Sequence, residues 1–400
     1  MNSGKQRIYN LPENDITWLG DYARQLEQGA RARGEQLPPA VRLQIGEPSF
    51  RTPEHICLAA MQSIEQEQFT YAPAVGWLWL RELLVEKILR VNGYTVRSDN
   101  VIVTLGGTGA LQTALLATVG EGDEVLIPDP GWPLYGVQLA VCGAIPVRYP
   151  LDPQNEWLPD IERMEQLITP RTRLLLINTP GNPTGAVFPP ATIEVLLNFA
   201  RRHHLYLLSD ESYDQIVFEG QHVSPATLLS PAELEEGQFI GVYTFSKTYS
   251  MTGWRIGYLV VGSQLSKTIA DVTNGSYTNI STLVQRAAVA ALTGPQDCVT
   301  EMCDAYRRRR DIAVRLLQEY GRYIYTPHGA FYALIDVRGK RGESRRGRQF
   351  ALDLLRERNV AVAPGSGFGR ISEEYVRISL AASEEEIERG VREICLFADR

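Results

Sequence analysis

Between about residues 80 and 270, short apolar runs alternate with helical patterns, and this alternation constrains the fold more than any other feature of the chain. The run RLLLIN, Arg173 to Asn178, is nearly unbroken in its apolar character. A strand with one wet face shows a polar residue at every second position. An uninterrupted run needs cover on both faces, as in a parallel sheet between helices. VIVTL (101–105), DEVLIP (123–128), a stretch around 146–149, LYLLSD (205–210), FIGVYTF and RIGYLVV repeat the strand pattern. Helical patterns follow the glycine cluster Gly106-Gly107-Thr108-Gly109, run from Pro133 to about Cys142, and run from Ala191 to about Arg202. The expected fold is α/β, a large, mostly parallel sheet flanked by helices. In such sheets ligands bind at the carboxyl ends of the strands. The glycine cluster, Asn178 to Gly185 and Asp210 all fall there.

After about Tyr277 the texture changes to an α+β segment. Helical patterns at 283–292 and 297–320 precede the strand AFYALIDV, a helix at 348–358, AVAPG, the strand YVRISL and a helix at 384–396. Near the N-terminus a helix is expected over 15–33, ended by Gly34 and Pro38, then a turn at Gly46-Glu47-Pro48 and a helix over 55–66. Four hundred residues exceed one small core. The expected division is 1–45 packing with a small C-terminal domain at 281–400, and a large domain at 46–280.

Net charge is −7, which gives no overall attraction to nucleic acid or to an anionic membrane. No apolar run approaches the roughly 20 residues that span a bilayer, and the N-terminus lacks the apolar stretch of a signal peptide. Five cysteines, with no CxxC pair, indicate neither a disulfide framework nor a zinc site. The expected compartment is the cytoplasm. Arg307 to Arg310 lies in a helical pattern and reads as a solvated helix face; Arg338 to Arg348 reads as a basic loop.

Four motifs carry chemistry. LGGTGALQ fails the GxGxxG fingerprint because Gln112 takes the third glycine position, and it lacks the Gly-Lys of a P-loop. It is either a tight βα turn or a helix N-terminus offering N–H groups to one phosphate. TFSKTYSMTGWRIGY sets Lys247 among Thr244, Ser246 and Thr248, with Arg255 beyond. An aldehyde cofactor needs such an amine, and its phosphate suits a guanidinium with hydroxyls. SDESYD puts Asp210 at a strand end and Tyr213 one turn later. A carboxylate there keeps a pyridine nitrogen protonated; the alternative is a helix cap beside a packed tyrosine. NTPGNPTGAVF is a rigid loop that positions Asn182.

Together these motifs make the chain resemble the class I/II aminotransferases of fold-type I, which use pyridoxal 5′-phosphate, from about Ile16 to Phe397. The subgroup resembled includes prokaryotic aspartate, aromatic and kynurenine aminotransferases. The resemblance implies a seven-stranded-type sheet. It implies that Lys247 carries the cofactor as a Schiff base and moves the proton. By it, Asp210 pairs with the pyridine nitrogen, Tyr213 and Asn182 bond the ring oxygen, and Trp132 of DPGWPLY stacks on the ring. Gly107, Thr108, Gly109, Thr244, Arg255 and Ser246 hold the phosphate. Tyr71 of FTYAPAVGWLWLR reaches the phosphate in a partner subunit, which implies a homodimer. Arg377 of YVRISLA clamps the substrate α-carboxylate, and Gly46 lies near it. Amino acid and 2-oxo acid are the implied small-molecule partners, with small or aromatic amino acids favoured. Aspartate-using members often carry Lys where this chain has Thr108. Tyr277 and Tyr332 are further candidates for the side-chain pocket. A lyase or cyclase would keep all these residues and is the second reading.

Overall fold

The computed structural model describes residues 15–34, 39–67, 70–339, 344 and 346–400. Expectations for Pro38, for the first fourteen residues and for most of the basic stretch after Gly339 lie outside them. In chain order the strands are β1 (Val41–Arg42), β2 (Val101–Thr104), β3 (Glu124–Asp129), β4 (Ile145–Asp152), β5 (Leu158–Pro159), β6 (Thr172–Asn178) and β7 (Tyr206–Asp210). They continue with β8 (Phe239–Thr244), β9 (Gly257–Val261), β10 (Tyr332–Asp336), β11 (Val360–Ala361), β12 (Ala363–Pro364) and β13 (Tyr375–Ser379).

The large sheet has the order β2-β9-β8-β7-β6-β3-β4-β5. Its centre, β4-β3-β6-β7-β8, is parallel throughout. On β6 the side chains divide by parity, as a period of two requires. Leu174 and Leu176 enter one apolar cluster, Leu175 and Ile177 the opposite one. On β3, Val125 and Ile127 oppose Leu126 in the same way. The first cluster is closed by the helix Gly106–Thr118 through Ala110, Leu111, Ala114 and Leu115. The second is closed by Pro190–Arg202 through Ile193, Leu196 and Phe199. Each buried Leu, Ile, Val or Phe side chain among these contributes about 1.5–3 kcal/mol, against strand propensities that span only about 1 kcal/mol. Burial on both faces dictates these strands.

Two features depart from a simple parallel sheet. β9 runs antiparallel to both β8 and β2. Its connection from β8 holds one four-residue helix, Phe245–Thr248, and reverses through Ser250 and Arg255, both at positive φ. The strand therefore returns along its neighbour. An eighth strand, β5, is a two-residue antiparallel addition at the β4 edge.

A second, three-stranded antiparallel sheet has the order β10-β13-β12, and β1 pairs with β11. Leu19 and Ala23 of the helix Asp15–Ala32 share a core with Phe350, Leu354, Val376, Ile378 and Ile387. Tyr213 and Ile216, from the strand end after β7, enter this same core and join it to the large sheet. The reading of Arg307 to Arg310 as a solvated face fails for two of the four. Arg310 is 3% exposed and donates to Pro327 O, while Arg309 lies over the Phe50 ring and bonds Ser49 Oγ. Four consecutive helical residues sweep some 300°, so on a helix packed on two sides some must face inward. No helix among the described residues is long and apolar enough to cross a membrane.

Candidate active site

The parallel strands end at one edge of the sheet, and the loops leaving them enclose a cavity of about 320 Å³. Thr244, the last residue of β8, caps the next turn: its Oγ1 accepts from Ser246 N at 3.1 Å. That turn presents Lys247 to the cavity, where Nζ donates to Gly46 O at 2.8 Å. Burial pushes this amine down to about 8; Glu47 opposes the shift, while the positive charges of Arg377 and Arg255 add to it.

β7 ends on Asp210, which is buried. Its Oδ2 accepts from Tyr135 Oη at 2.6 Å and its Oδ1 from Ser212 Oγ at 2.6 Å. Burial raises the Asp210 carboxyl above its ordinary range, and these two donors oppose the rise. Asn178, at the end of β6, ties the edge together. Its Nδ2 donates to Asp210 O at 3.0 Å, and its Oδ1 accepts from Asn182 N at 2.8 Å. Tyr213 Oη lies 3.0 Å from Tyr332 Oη.

An anion cup forms at the end of β2. The helix Gly106–Thr118 begins there without a side-chain cap, so its first N–H groups lack helical acceptors. Gly107 and Thr108 line the cavity, with Thr244, Ser246 and Arg255. The Arg255 guanidinium lies so near Gly106 that a Cβ there would fall 2.7 Å from it, and Gly106 has a φ of +67°. Gly257 is equally constrained: its Cβ would meet Tyr243 O at 2.6 Å and Gly107 N at 3.0 Å. Backbone approach of this kind permits only glycine.

Arg377, on β13, reaches the same cavity from the small sheet and is 2% exposed. It donates to Gln44 O at 2.6 Å and Asn182 Oδ1 at 3.2 Å, and its Nε has no partner. A buried guanidinium with a free donor and no carboxylate bonded to it is set to receive an anion.

Gly46, Gly107, Thr108, Trp132, Asn182 and Asp210 thus line one cavity with Tyr213, Thr244, Ser246, Lys247, Arg255 and Arg377. Two expected residues stand apart. Gly109 does not line the cavity, because it lies deeper in the helix and its N–H donates to Leu105 O at 3.2 Å. Tyr71 is 85% exposed, away from this cavity. Of the two further tyrosines, Tyr332 lines the cavity, whereas Tyr277 packs against the helix residue Thr113. Asn178, expected at the strand end, lines it too, and Tyr135, Ser212 and Thr252 line it without having been singled out. Tyr135 lies three residues after Trp132, and its N–H donates to Trp132 O at 3.1 Å across the turn that opens the helix Leu134–Cys142.

The arrangement fits pyridoxal 5′-phosphate: an amine held near neutrality, a buried carboxylate, an aromatic ring and an anion cup share one wall. A lone buried arginine faces them. These are the features of a cofactor-dependent enzyme that binds a carboxylate substrate. The family profile of class I and II aminotransferases matches residues 38–394, and the chain belongs to this family. It is a pyridoxal-phosphate-dependent aminotransferase of fold-type I, moving an amino group between an amino acid and a 2-oxo acid. An aspartate/prephenate aminotransferase of Thermus thermophilus is 38% identical, covering 88% of this chain and 89% of its own. A solved aspartate aminotransferase from Thermus thermophilus with maleate superposes with a TM-score of 0.89 at 35% identity, over 99% of this chain and 100% of its own. A Methanococcus jannaschii protein, described as similar in its active site to kynurenine aminotransferases, gives a TM-score of 0.86 at 31% identity with full coverage of both chains.

Proposed function

We propose that this aminotransferase takes amino acids whose side chains carry no distal carboxylate. The carrying observation is the charge inventory of the cavity. Among the described residues its cations are Lys247, Arg255 and Arg377. The first two serve the cofactor, which leaves Arg377, among this chain's own residues, for one carboxylate. A second carboxylate desolvated without a partner costs several kcal/mol, about a hundredfold or more in affinity. Thr108 stands where a lysine would meet that group. Trp132, Leu134 and Tyr332 offer apolar surface instead. Aspartate as donor is the second reading, favoured by the names of the relatives.

When bound, the cofactor supplies an electron sink for the substrate α-carbon. Lys247 would hold its aldehyde and, with the amino acid in place, would take up and return the proton of the substrate α-carbon. Asp210, held by Tyr135 and Ser212, keeps the ring nitrogen protonated, and Tyr213 and Asn182 bond the ring oxygen. Trp132 stacks on the ring. Gly107, Thr108, Thr244, Ser246 and Arg255 hold the phosphate, and Arg377 with the Gly46 segment holds the α-carboxylate. Tyr71, exposed on this chain, serves the phosphate of a second copy, making the working unit a homodimer in the cytoplasm.

Rapid mixing of the loaded enzyme with single amino acids, followed by absorbance, tests the specificity. Aromatic and aliphatic donors are expected to convert the cofactor band at least about tenfold faster than aspartate, a difference of about 1.4 kcal/mol. Aspartate converting it fastest would establish the second reading instead.

A further inference from the structure

Tyr332 and Arg377 project from the same face of neighbouring strands: Tyr332 is opposite Ser379, and Arg377 is opposite Leu334. The guanidinium carbon lies 4.4 Å from the Tyr332 ring centroid, with Phe368 on another side at 5.0 Å. The Tyr332 hydroxyl is 3.0 Å from Tyr213 Oη, and the two rings meet edge-on at 85°. A third element fixes that hydroxyl: a Cβ on Gly46 would fall 2.5 Å from it, and Gly46 O holds Lys247. Packing alone does not call for the oxygen, since phenylalanine fills the same space. The hydroxyl instead links the carboxylate-binding arginine to the phenol on the cofactor side.

Burial raises both phenols. Tyr332 adds to the rise at Tyr213, whereas Arg377 and Tyr213 oppose it at Tyr332. Either oxygen of this pair can be the donor; a phenol has one O–H, so when Tyr213 gives its proton to the cofactor oxygen it is Tyr332 that donates to Tyr213. The charged and titratable groups facing them are Arg377 and Tyr306 at Tyr332, and Asp210 and Arg377 at Tyr213. Lys247 faces Glu47, Arg255, Arg377 and Asp210.

We propose that Tyr332 is a positioning residue that couples the substrate carboxylate on Arg377 to the hydroxyl of Tyr213. A carboxylate on Arg377 offsets the charge over the Tyr332 ring. The Tyr332 hydroxyl then becomes a weaker donor to Tyr213, and the hydrogen bond from Tyr213 to the cofactor side weakens with it. Occupancy of the substrate site is thereby reported to the cofactor before any bond changes. This inference rests on the placement of Tyr213 against the cofactor argued above.

The test is a pH titration of the visible absorbance of the loaded enzyme, without and with saturating 3-phenylpropionate, a carboxylate lacking the amino group. The midpoint of the wild type is expected to shift on adding the probe. In Tyr332→Phe the shift falls to less than about half, because the coupling free energy is lost while the arginine remains. Phe368→Leu, which disturbs the arginine without touching the hydroxyl, weakens the probe yet keeps the full shift. An equal loss in Phe368→Leu assigns the effect to arginine packing and overturns the proposal, as does an unchanged shift in Tyr332→Phe. Should Tyr332→Phe fail to fold, 3,5-difluorotyrosine at position 332 keeps the shape and strengthens the hydroxyl as a donor; an unchanged shift there overturns it equally. A visible band that still titrates with pH in Lys247→Ala would instead overturn the site assignment, and this inference with it.

Discussion

Lys247 is a buried amine, and burial first, then the charges of Arg377 and Arg255, loosens its proton against the opposing pull of Glu47. Its ordinary value of 10.5 falls to about 8. Between these values the folded apoprotein binds fewer protons than the unfolded chain, so stability rises with pH across that window. Below pH 8 both states are charged, and the cost of burying the ammonium is fully present. Lys247→Met lacks this cost. In thermal melts of the apoprotein, the wild type is expected to melt below Lys247→Met at pH 7, with the gap closing as pH rises from 8 toward 10. A constant gap would show that the amine is not so perturbed. Residue-scale chemistry was the most legible part of the sequence. Lys247, Asp210 and Asn182 each sit in a short motif whose local geometry follows from a strand end and the turn after it.

At the scale of elements, the anion cup depends on β9 lying close against the start of the helix Gly106–Thr118. Gly257, the first residue of β9, permits that approach, since its Cβ would strike Tyr243 O, Gly106 C and Gly107 N. Gly257→Ala must push strand and helix apart. A loss of about 1–3 kcal/mol is expected from overpacking of this kind, seen as a lower melting temperature. Release of the cofactor on dialysis should also be faster, because Gly107 and Arg255 move together. An alanine variant that melts and holds cofactor like the wild type would refute this account. The elements themselves were largely readable: β6 and the helix Pro190–Arg202 fall within a residue of their expected bounds. The antiparallel sense of β9 was not readable, because it depends on positive φ at Ser250 and Arg255 rather than on any apolar pattern.

At the scale of the whole molecule, Tyr71 is 85% exposed although the family resemblance gives it a role at a phosphate. The proposed homodimer accounts for that exposure. Sedimentation is expected to give twice the chain mass, and Tyr71→Phe to weaken cofactor retention by about tenfold, as loss of one hydrogen bond to a charged group does. A monomer with full activity would exclude the shared site. By itself the sequence determined the parallel core, the strand-end motifs and the candidate amine, carboxylate and anion-binding residues that meet at one cavity. Each of these rests on consecutive residues, through side-chain periodicity and turn chemistry. Only the tertiary structure decided that Gly46 O meets Lys247 across 201 residues and that Arg377 reaches Gln44 across 333. It likewise decided that Arg310 is buried, that Gly109 is spent within its helix, and that Tyr332 rather than Tyr277 faces the cavity. Such contacts are settled by how two sheets pack around one core, and no local pattern along the chain encodes that packing.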